Sequence, residues 1–117
     1  MKNKRFHHRL GFALAGLSHA LKSENSFRFH VLAACAVLGT LVVLRPSPMW
    51  WAILLLTVML VLAAELFNTA LEHLADHVHP DLHPQIKLVK DCAAAAVLVV
   101  SVGAVAVAAA FVWEMFG

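Results

Sequence analysis

Apolar residues fall into three blocks along the chain, and short polar segments separate these blocks. The blocks run from residue 29 to 44, from 49 into a polar stretch that ends at 77, and from 86 to 114. A helix that crosses a bilayer needs about 20 mainly apolar residues, so the first block is short and the other two are long enough. The pattern predicts an all-α membrane protein with transmembrane helices at 29–44, 49–77 and 86–114.

Residues 5 to 22 show a different pattern, in which basic side chains interrupt apolar ones. The apolar side chains recur at roughly helical spacing and are Phe6, Leu10, Phe12, Leu14, Leu17 and Leu21. Such a segment is typical of an amphipathic helix that lies on a membrane surface. Ser23 and Ser26 are candidate N-caps for the helix that follows.

Composition and charge indicate where in the cell the protein lies. With 62% hydrophobic residues and a mean hydropathy of +0.80, the 117 residues are too apolar for a soluble domain, and we expect one membrane domain over 1–117. Six cationic residues precede the first apolar block: Lys2, Lys4, Arg5, Arg9, Lys22 and Arg28. By the positive-inside rule, the N-terminus and the loop before the third span are expected on the cytoplasmic side of a bacterial plasma membrane. Basic residues that lead into a membrane segment favour anionic lipid over nucleic acid as a partner.

Polar side chains interrupt the second apolar block near its expected cytoplasmic end. Five of them share one face of a helix: Glu65, Asn68, Thr69, Glu72 and Asp76. A second polar stripe opens the third span, at Lys87, Lys90 and Asp91, and Glu24 precedes the first span. Ionisable groups at membrane depth are costly and are usually functional. We expect the fold to bring these carboxylates, the amide and the lysines to one level of the membrane.

The residue types in this cluster suit phosphoryl transfer. Carboxylates without a cysteine cluster suit Mg²⁺, which usually takes one or two carboxylates together with phosphate oxygens. Lysine suits a phosphate group, and a remaining carboxylate can accept a proton from a hydroxyl. The chain contains neither GxxxxGK[ST] nor GxGxxG, so a nucleotide would be held in another way.

Two stretches carry a family resemblance. AELFNTALEHLADH, followed after a short loop by VKDCAAAAVL, resembles the pattern E-x-x-N-[ST]-x-[IL]-E-x-x-x-D and then K-D-x-[AG]-[AS]-A-V. This is the pattern of the small bacterial membrane lipid kinases, the diacylglycerol kinases and undecaprenol kinases. The similarity covers nearly the whole chain. Where the family often has a glycine after the K-D pair, this chain has only alanines.

The resemblance implies a homotrimer with active sites shared between protomers, and ATP with Mg²⁺ as the phosphoryl donor. It implies that Glu65 is the general base acting on the lipid hydroxyl and that Asn68 positions the reacting groups. It implies that Glu24 and Glu72 hold the metal. The implied nucleotide contacts, with the arginine placed by counting back from Glu24, are Arg5, Glu24, Glu72, Asp81, His83, Lys90 and Asp91.

The acceptor and two rival functions stay open. The core N-x-F-x-F-H of SENSFRFHVLAACAV and the loop HPDLHPQIKLVKD look more like the undecaprenol kinase branch, and diacylglycerol is the alternative acceptor. His73 and His77, with Asp76 beside them, could instead share a zinc ion on one helix face. A non-catalytic membrane subunit or small ion transporter could also use the carboxylates.

Overall fold

The computed structural model describes residues 5–117, and within this range every regular element is a helix. The helices are α1 (Phe6–Ser23), α2 (Asn25–Leu44), α3 (Pro48–Val78) and α4 (Pro84–Phe116). Helices α2, α3 and α4 are each long and apolar enough to cross a membrane. The predicted all-α membrane fold is therefore confirmed. Lys2 and Lys4, which the charge pattern included, lie outside the described residues.

The helix α3 is the centre of the bundle, because it contacts each of the other three helices. One line of its buried and half-buried positions alternates at spacings of four and three residues: Leu54, Val58, Val61, Glu65, Asn68, Glu72 and Ala75. This spacing averages about 3.5 residues, which keeps one face of a helix against its neighbours over many turns. We call these seven positions the α3 seam. The seam is apolar up to Val61 and becomes polar at Glu65.

The helix α2 presents a matching stripe to α3. Its more enclosed positions are Phe27, His30, Ala34, Val37 and Leu41, which follow the same three-and-four spacing. Phe27 at one end and Leu41 at the other are almost completely buried. These two side chains fix the position of α2 along α3 and place His30 within the stripe.

An apolar cluster closes the end of the bundle where α2 ends and α3 begins. Leu41, Leu54 and Phe111 are buried together there, one from each membrane helix. The rings of Trp50 and Phe111 meet edge to face with centroids 5.2 Å apart, a favourable aromatic geometry. The polar half of the α3 seam lies toward the opposite end.

The corner between α1 and α2 differs from the sequence prediction. The helix α2 begins at Asn25, four residues before the predicted start at 29, with Glu24 in the extended N-cap position. Neither serine caps it, and the Ser23 hydroxyl instead donates to the carbonyl of His19 at 2.7 Å. The guanidinium of Arg28 donates to the carbonyls of Leu21 and Lys22 at 2.9 and 2.8 Å. These bonds give two of the last carbonyls of α1 a hydrogen-bond donor. A single residue, Glu24, separates the two helices.

The other helix ends lie close to the predicted ones. The helix α3 extends one residue beyond the predicted range at each end, and α4 extends two residues beyond at each end. The loop between them is therefore only residues 79–83. Pro48 and Pro84 occupy the first turns of α3 and α4, where a proline ring fits because no intrahelical N–H bond is lost.

Truncating Leu41 should destabilise the bundle, because its side chain is fully enclosed in the apolar cluster. We expect Leu41→Ala to lower the free energy of unfolding by about 2 to 5 kcal/mol, the scale of a core cavity. Leu38 lies one turn away on the same helix with 46% of its surface exposed. Leu38→Ala should change stability by no more than about 0.5 kcal/mol. Unfolding in mixed micelles, followed by circular dichroism, compares the two variants, and equal losses would contradict this packing.

Candidate functional site

Glu65 is the buried charged side chain of the described residues, with 5% of its surface exposed. It lies where the α3 seam changes from apolar to polar, against α2. The Oε1 atom of Glu65 is 2.7 Å from Nδ1 of His30. The two atoms are in contact, although the ring nitrogen makes no aligned hydrogen bond within residues 5–117. A carboxylate in this position is costly, so its presence indicates a chemical role.

Asn68 lies one turn beyond Glu65 on the α3 seam. Its Oδ1 atom is buried and has no hydrogen-bond partner among the described residues. A buried acceptor without a partner costs about 1 to 3 kcal/mol. This amide oxygen is therefore available to a proton donor or a cation that a bound ligand brings, and the positioning role implied by the resemblance stays a prediction.

The two predicted metal ligands lie on different elements. Glu24 occupies the corner between α1 and α2, with its side chain one-third exposed and its Oε1 atom 3.9 Å from Nε2 of His73. The same His73 nitrogen is 3.4 Å from Nε2 of His19. Glu72 is half-buried on the α3 seam. Each carboxylate therefore retains some access to solvent, as a ligand for a hydrated cation requires.

The donor set fits Mg²⁺ carried by a phosphate and does not fit a metal held by protein alone. Among residues 5–117, no group of three or more His, Cys, Asp or Glu side chains converges on a point. Mg²⁺ needs only one or two carboxylates when phosphate oxygens and water complete its octahedron, so Glu24 and Glu72 suffice in type and number. The zinc interpretation gains nothing from the structure, since the described contacts of His73 are with His19 and Glu24.

The two lysines at the start of α4 have different partners. The ammonium of Lys90 pairs with the carboxylate of Asp76 on α3, and the charge of Glu72 also acts on it. Lys87 pairs with Asp91 at 2.7 Å on the exposed side of the same helix. Lys90 thus pairs across to α3, whereas Lys87 and Asp91 pair within α4.

A concave pocket of about 230 Å³ lies between the loop at 79–83 and the first turns of α4. Four of the predicted nucleotide contacts line it together: Asp81, His83, Lys90 and Asp91. His83 also caps α4, because its Nδ1 atom accepts the N–H of Gln85 at 3.1 Å. The positive end of the α4 dipole lies here and favours a phosphate. The pocket therefore has the shape and polarity to hold part of a nucleotide.

One predicted residue is not brought to this cluster within a single chain. Arg5 is exposed at the start of α1, and Glu24 follows the last residue of the same helix. An 18-residue helix is about 27 Å long, so the two side chains lie at opposite ends of α1. Arg5 can share a site with Glu24 only if a second copy of the chain supplies one of them.

The structure adds two contacts that the sequence pattern did not predict. His30 contacts Glu65, and Asp76 holds Lys90. The spacing of His30 from Phe27 and Ala34 was a usable signal, since it puts the ring on the stripe of α2 that faces α3. The sequence places Asp76 on the same helix face as Glu65 and Glu72, but it does not show that Lys90 on α4 is its partner.

Taken together, the membrane helices, the buried carboxylate and the acidic and lysine side chains near a helix N-terminus are the parts that a membrane-embedded phosphotransferase needs. The prokaryotic diacylglycerol kinase family matches this chain over residues 11–112. The chain therefore belongs to this family of membrane lipid kinases, and the predicted family and enzyme class are confirmed.

Individual relatives carry two different acceptor names. A diacylglycerol kinase of Synechocystis is 40% identical over 97 residues, which are 82% of this chain and 55% of the relative. An undecaprenol kinase of Bacillus subtilis is 39% identical over 87 residues, which are 74% of this chain and 71% of the relative. A diacylglycerol kinase of Escherichia coli is 29% identical over 107 residues, 92% of this chain and 88% of the relative. The chain thus spans about half the length of the Synechocystis protein and most of the other two.

The two roles of His83 can be separated by substitution. His83→Ala removes the cap of α4 and should raise amide hydrogen exchange at residues 85–87 about fivefold, the equivalent of a cap worth about 1 kcal/mol. His83→Asn should restore the protection, because asparagine caps helices well. If His83 also contacts the nucleotide, ATP affinity stays reduced in His83→Asn while exchange returns to normal. Unchanged exchange in His83→Ala would show that the cap is dispensable.

Proposed function

We propose that this protein is an ATP-dependent lipid kinase that transfers the γ-phosphate to the primary hydroxyl of undecaprenol. The observation that carries the proposal is the placement of Glu65, a buried carboxylate at the start of the polar part of the α3 seam and in contact with His30, which lines an apolar cavity. A lipid hydroxyl and a nucleotide phosphate can meet only at such a boundary. Family membership supports the reaction type.

The apolar side of this boundary is a cavity of about 270 Å³ between α2, α3 and α4. Small and branched apolar side chains form most of its wall, among them Ala33, Ala34, Val61, Ala104 and Ala108. His30 also lines the cavity and contacts Glu65. A hydrocarbon chain held here would present its terminal hydroxyl to the carboxylate.

The polar side supplies the groups that a phosphoryl donor needs. Lys90 and the N-terminus of α4 offer positive charge, and the pocket beside residues 79–83 offers a surface for the nucleotide. Glu24 and Glu72 would hold Mg²⁺, which neutralises phosphate charge when it is bound with ATP. Glu65 takes the proton of the lipid hydroxyl while the oxygen attacks the γ-phosphorus, and ADP leaves.

The choice of undecaprenol rests on the segment at the start of α2 and on one relative. The core N-x-F-x-F-H places a histidine, His30, at the contact with Glu65. The undecaprenol kinase of Bacillus subtilis is 39% identical to this chain. Diacylglycerol is the second candidate acceptor, because the Synechocystis protein of that name is 40% identical.

We also propose a homotrimer with shared active sites, in a bacterial plasma membrane. The separation of Arg5 from Glu24 by the length of α1 supports a site that two protomers complete. The excess of cationic residues before α2 supports a cytoplasmic N-terminus and, with it, a cytoplasmic site near residues 79–83.

Transfer of labelled phosphate from ATP to lipid, by purified protein in mixed micelles, tests the function. Undecaprenol and diacylglycerol are supplied in parallel, with Mg²⁺ present or chelated. We expect Mg²⁺-dependent label in undecaprenol, and Glu65→Gln should abolish it while ATP with Mg²⁺ still binds, because only the base is lost. Glu114→Gln makes the same change near the far end of α4 and should leave the rate unchanged. Label only in diacylglycerol would assign the second acceptor, and no label from folded protein would favour a transporter or a non-catalytic subunit.

Glu72→Gln should raise the Mg²⁺ concentration needed for half-maximal activity, because a charged oxygen ligand is lost. The effect should be about tenfold or more, the scale on which changes around a bound metal act. Titrating Mg²⁺ at fixed ATP measures it, with Glu114→Gln again as the control. A lower rate with an unchanged Mg²⁺ requirement would remove Glu72 from the metal site.

A further inference from the structure

The contact between His30 and Glu65 joins two helices at the boundary between the apolar cavity and the polar cluster. The histidine belongs to α2 and the glutamate to α3, and their facing atoms are 2.7 Å apart. The side chain of Glu65 is 7% exposed and that of His30 is 23% exposed. The described residues provide Glu65 with no other ion pair or hydrogen bond, so His30 is the polar group that faces it.

The position of His30 is fixed by packing on both sides. Phe27, one turn earlier on the same face of α2, is 2% exposed. Ala34, one turn later, lines the same cavity as His30. The ring therefore has a defined place on the stripe of α2 that faces α3, and it is not a surface residue that touches the glutamate by chance.

A carboxylate that acts as a base has two oxygens, and their orientation matters. A single flexible glutamate in an apolar wall can turn away from the hydroxyl it must deprotonate. A contact at Oε1 restrains the side chain and leaves Oε2 to accept the proton. Since misplacement of a reacting group by about 1 Å can cost about 100-fold in rate, a partner that fixes the carboxylate matters for catalysis.

We propose that His30 is a positioning residue for Glu65, holding the carboxylate at the mouth of the apolar cavity so that one oxygen faces the acceptor hydroxyl. This inference rests on the proposed function, because it assigns Glu65 as the base. His30 acts through the glutamate and not on the nucleotide. Its removal should therefore lower the turnover number and leave the KM for ATP unchanged.

The choice of substitutions distinguishes positioning from packing. In His30→Asn the side-chain amide is attached at Cγ and reaches the place of the ring Nδ1, so it can donate to Glu65. In His30→Gln the amide is one carbon farther out, near the place of Nε2. The two variants have the same chemistry and differ in reach. A role in packing alone predicts no advantage for the shorter side chain.

The experiment measures kcat and the KM for ATP of His30→Ala, His30→Asn and His30→Gln with the best lipid acceptor. We expect His30→Ala to lose about 100-fold in kcat with unchanged KM for ATP, His30→Asn to recover most of the loss, and His30→Gln not to recover it. His77 is exposed on α3, and His77→Ala should behave as wild type. Wild-type kcat in His30→Ala, equal activities of the Asn and Gln variants, or a loss confined to the KM for ATP would overturn the proposal.

A second readout keeps this inference separate from the proposed function. Melting temperatures of His30→Ala, Glu65→Gln and the double variant form a cycle that needs no substrate. We expect non-additive shifts, because the two side chains contact each other. Additive shifts would overturn the inference even if the protein phosphorylates lipid, whereas non-additive shifts without any phosphate transfer would locate the failure in the proposed function. If His30→Ala does not fold, the Asn and Gln variants complete both measurements.

Discussion

A carboxylate in the interior of a membrane protein has no water to solvate it, and the arrangement of this bundle is organised around that constraint. Glu65 is enclosed because α2 and α3 close over it, and its described polar contact is the ring of His30. Burying a charge is tolerated only where other polar groups or a bound ligand compensate for the lost water. The interface between the two helices therefore both encloses the carboxylate and provides its polar contact.

The helical framework was predictable because its signals are local. Hydrophobic blocks, basic residues and the helical spacing of Glu65, Asn68 and Glu72 are all visible in the printed sequence. Periodicity also gave the face on which these groups lie, since a helix converts spacing into direction. Because the residues of the α3 seam recur at spacings of four and three, its polar side chains lie on the same face of α3 that packs against the other helices.

The contacts that join distant parts of the chain were not predictable from such signals. Arg28 looked like one more cationic residue before a membrane span, yet its guanidinium binds the last carbonyls of α1. Pairing of Lys90 with Asp76 depends on how α4 lies against α3. No periodicity within one segment reports which side chain of another helix it will meet. The separation of Arg5 from Glu24, in contrast, follows from the helix predicted over residues 5–22, and α1 is such a helix in the structure.

The seam of α3 has a consequence for how this protein can change during evolution. Its apolar half can be optimised for packing, but Glu65, Asn68 and Glu72 occupy positions where leucine or alanine would fit the bundle better. Natural proteins often give up folding energy where activity needs polar groups. On α3, the apolar packing positions and the polar positions lie on successive turns of a single helix face. Under the proposed function, selection for stability and selection for activity oppose each other along the same line of residues, and stabilising substitutions are easier to accommodate at the apolar end.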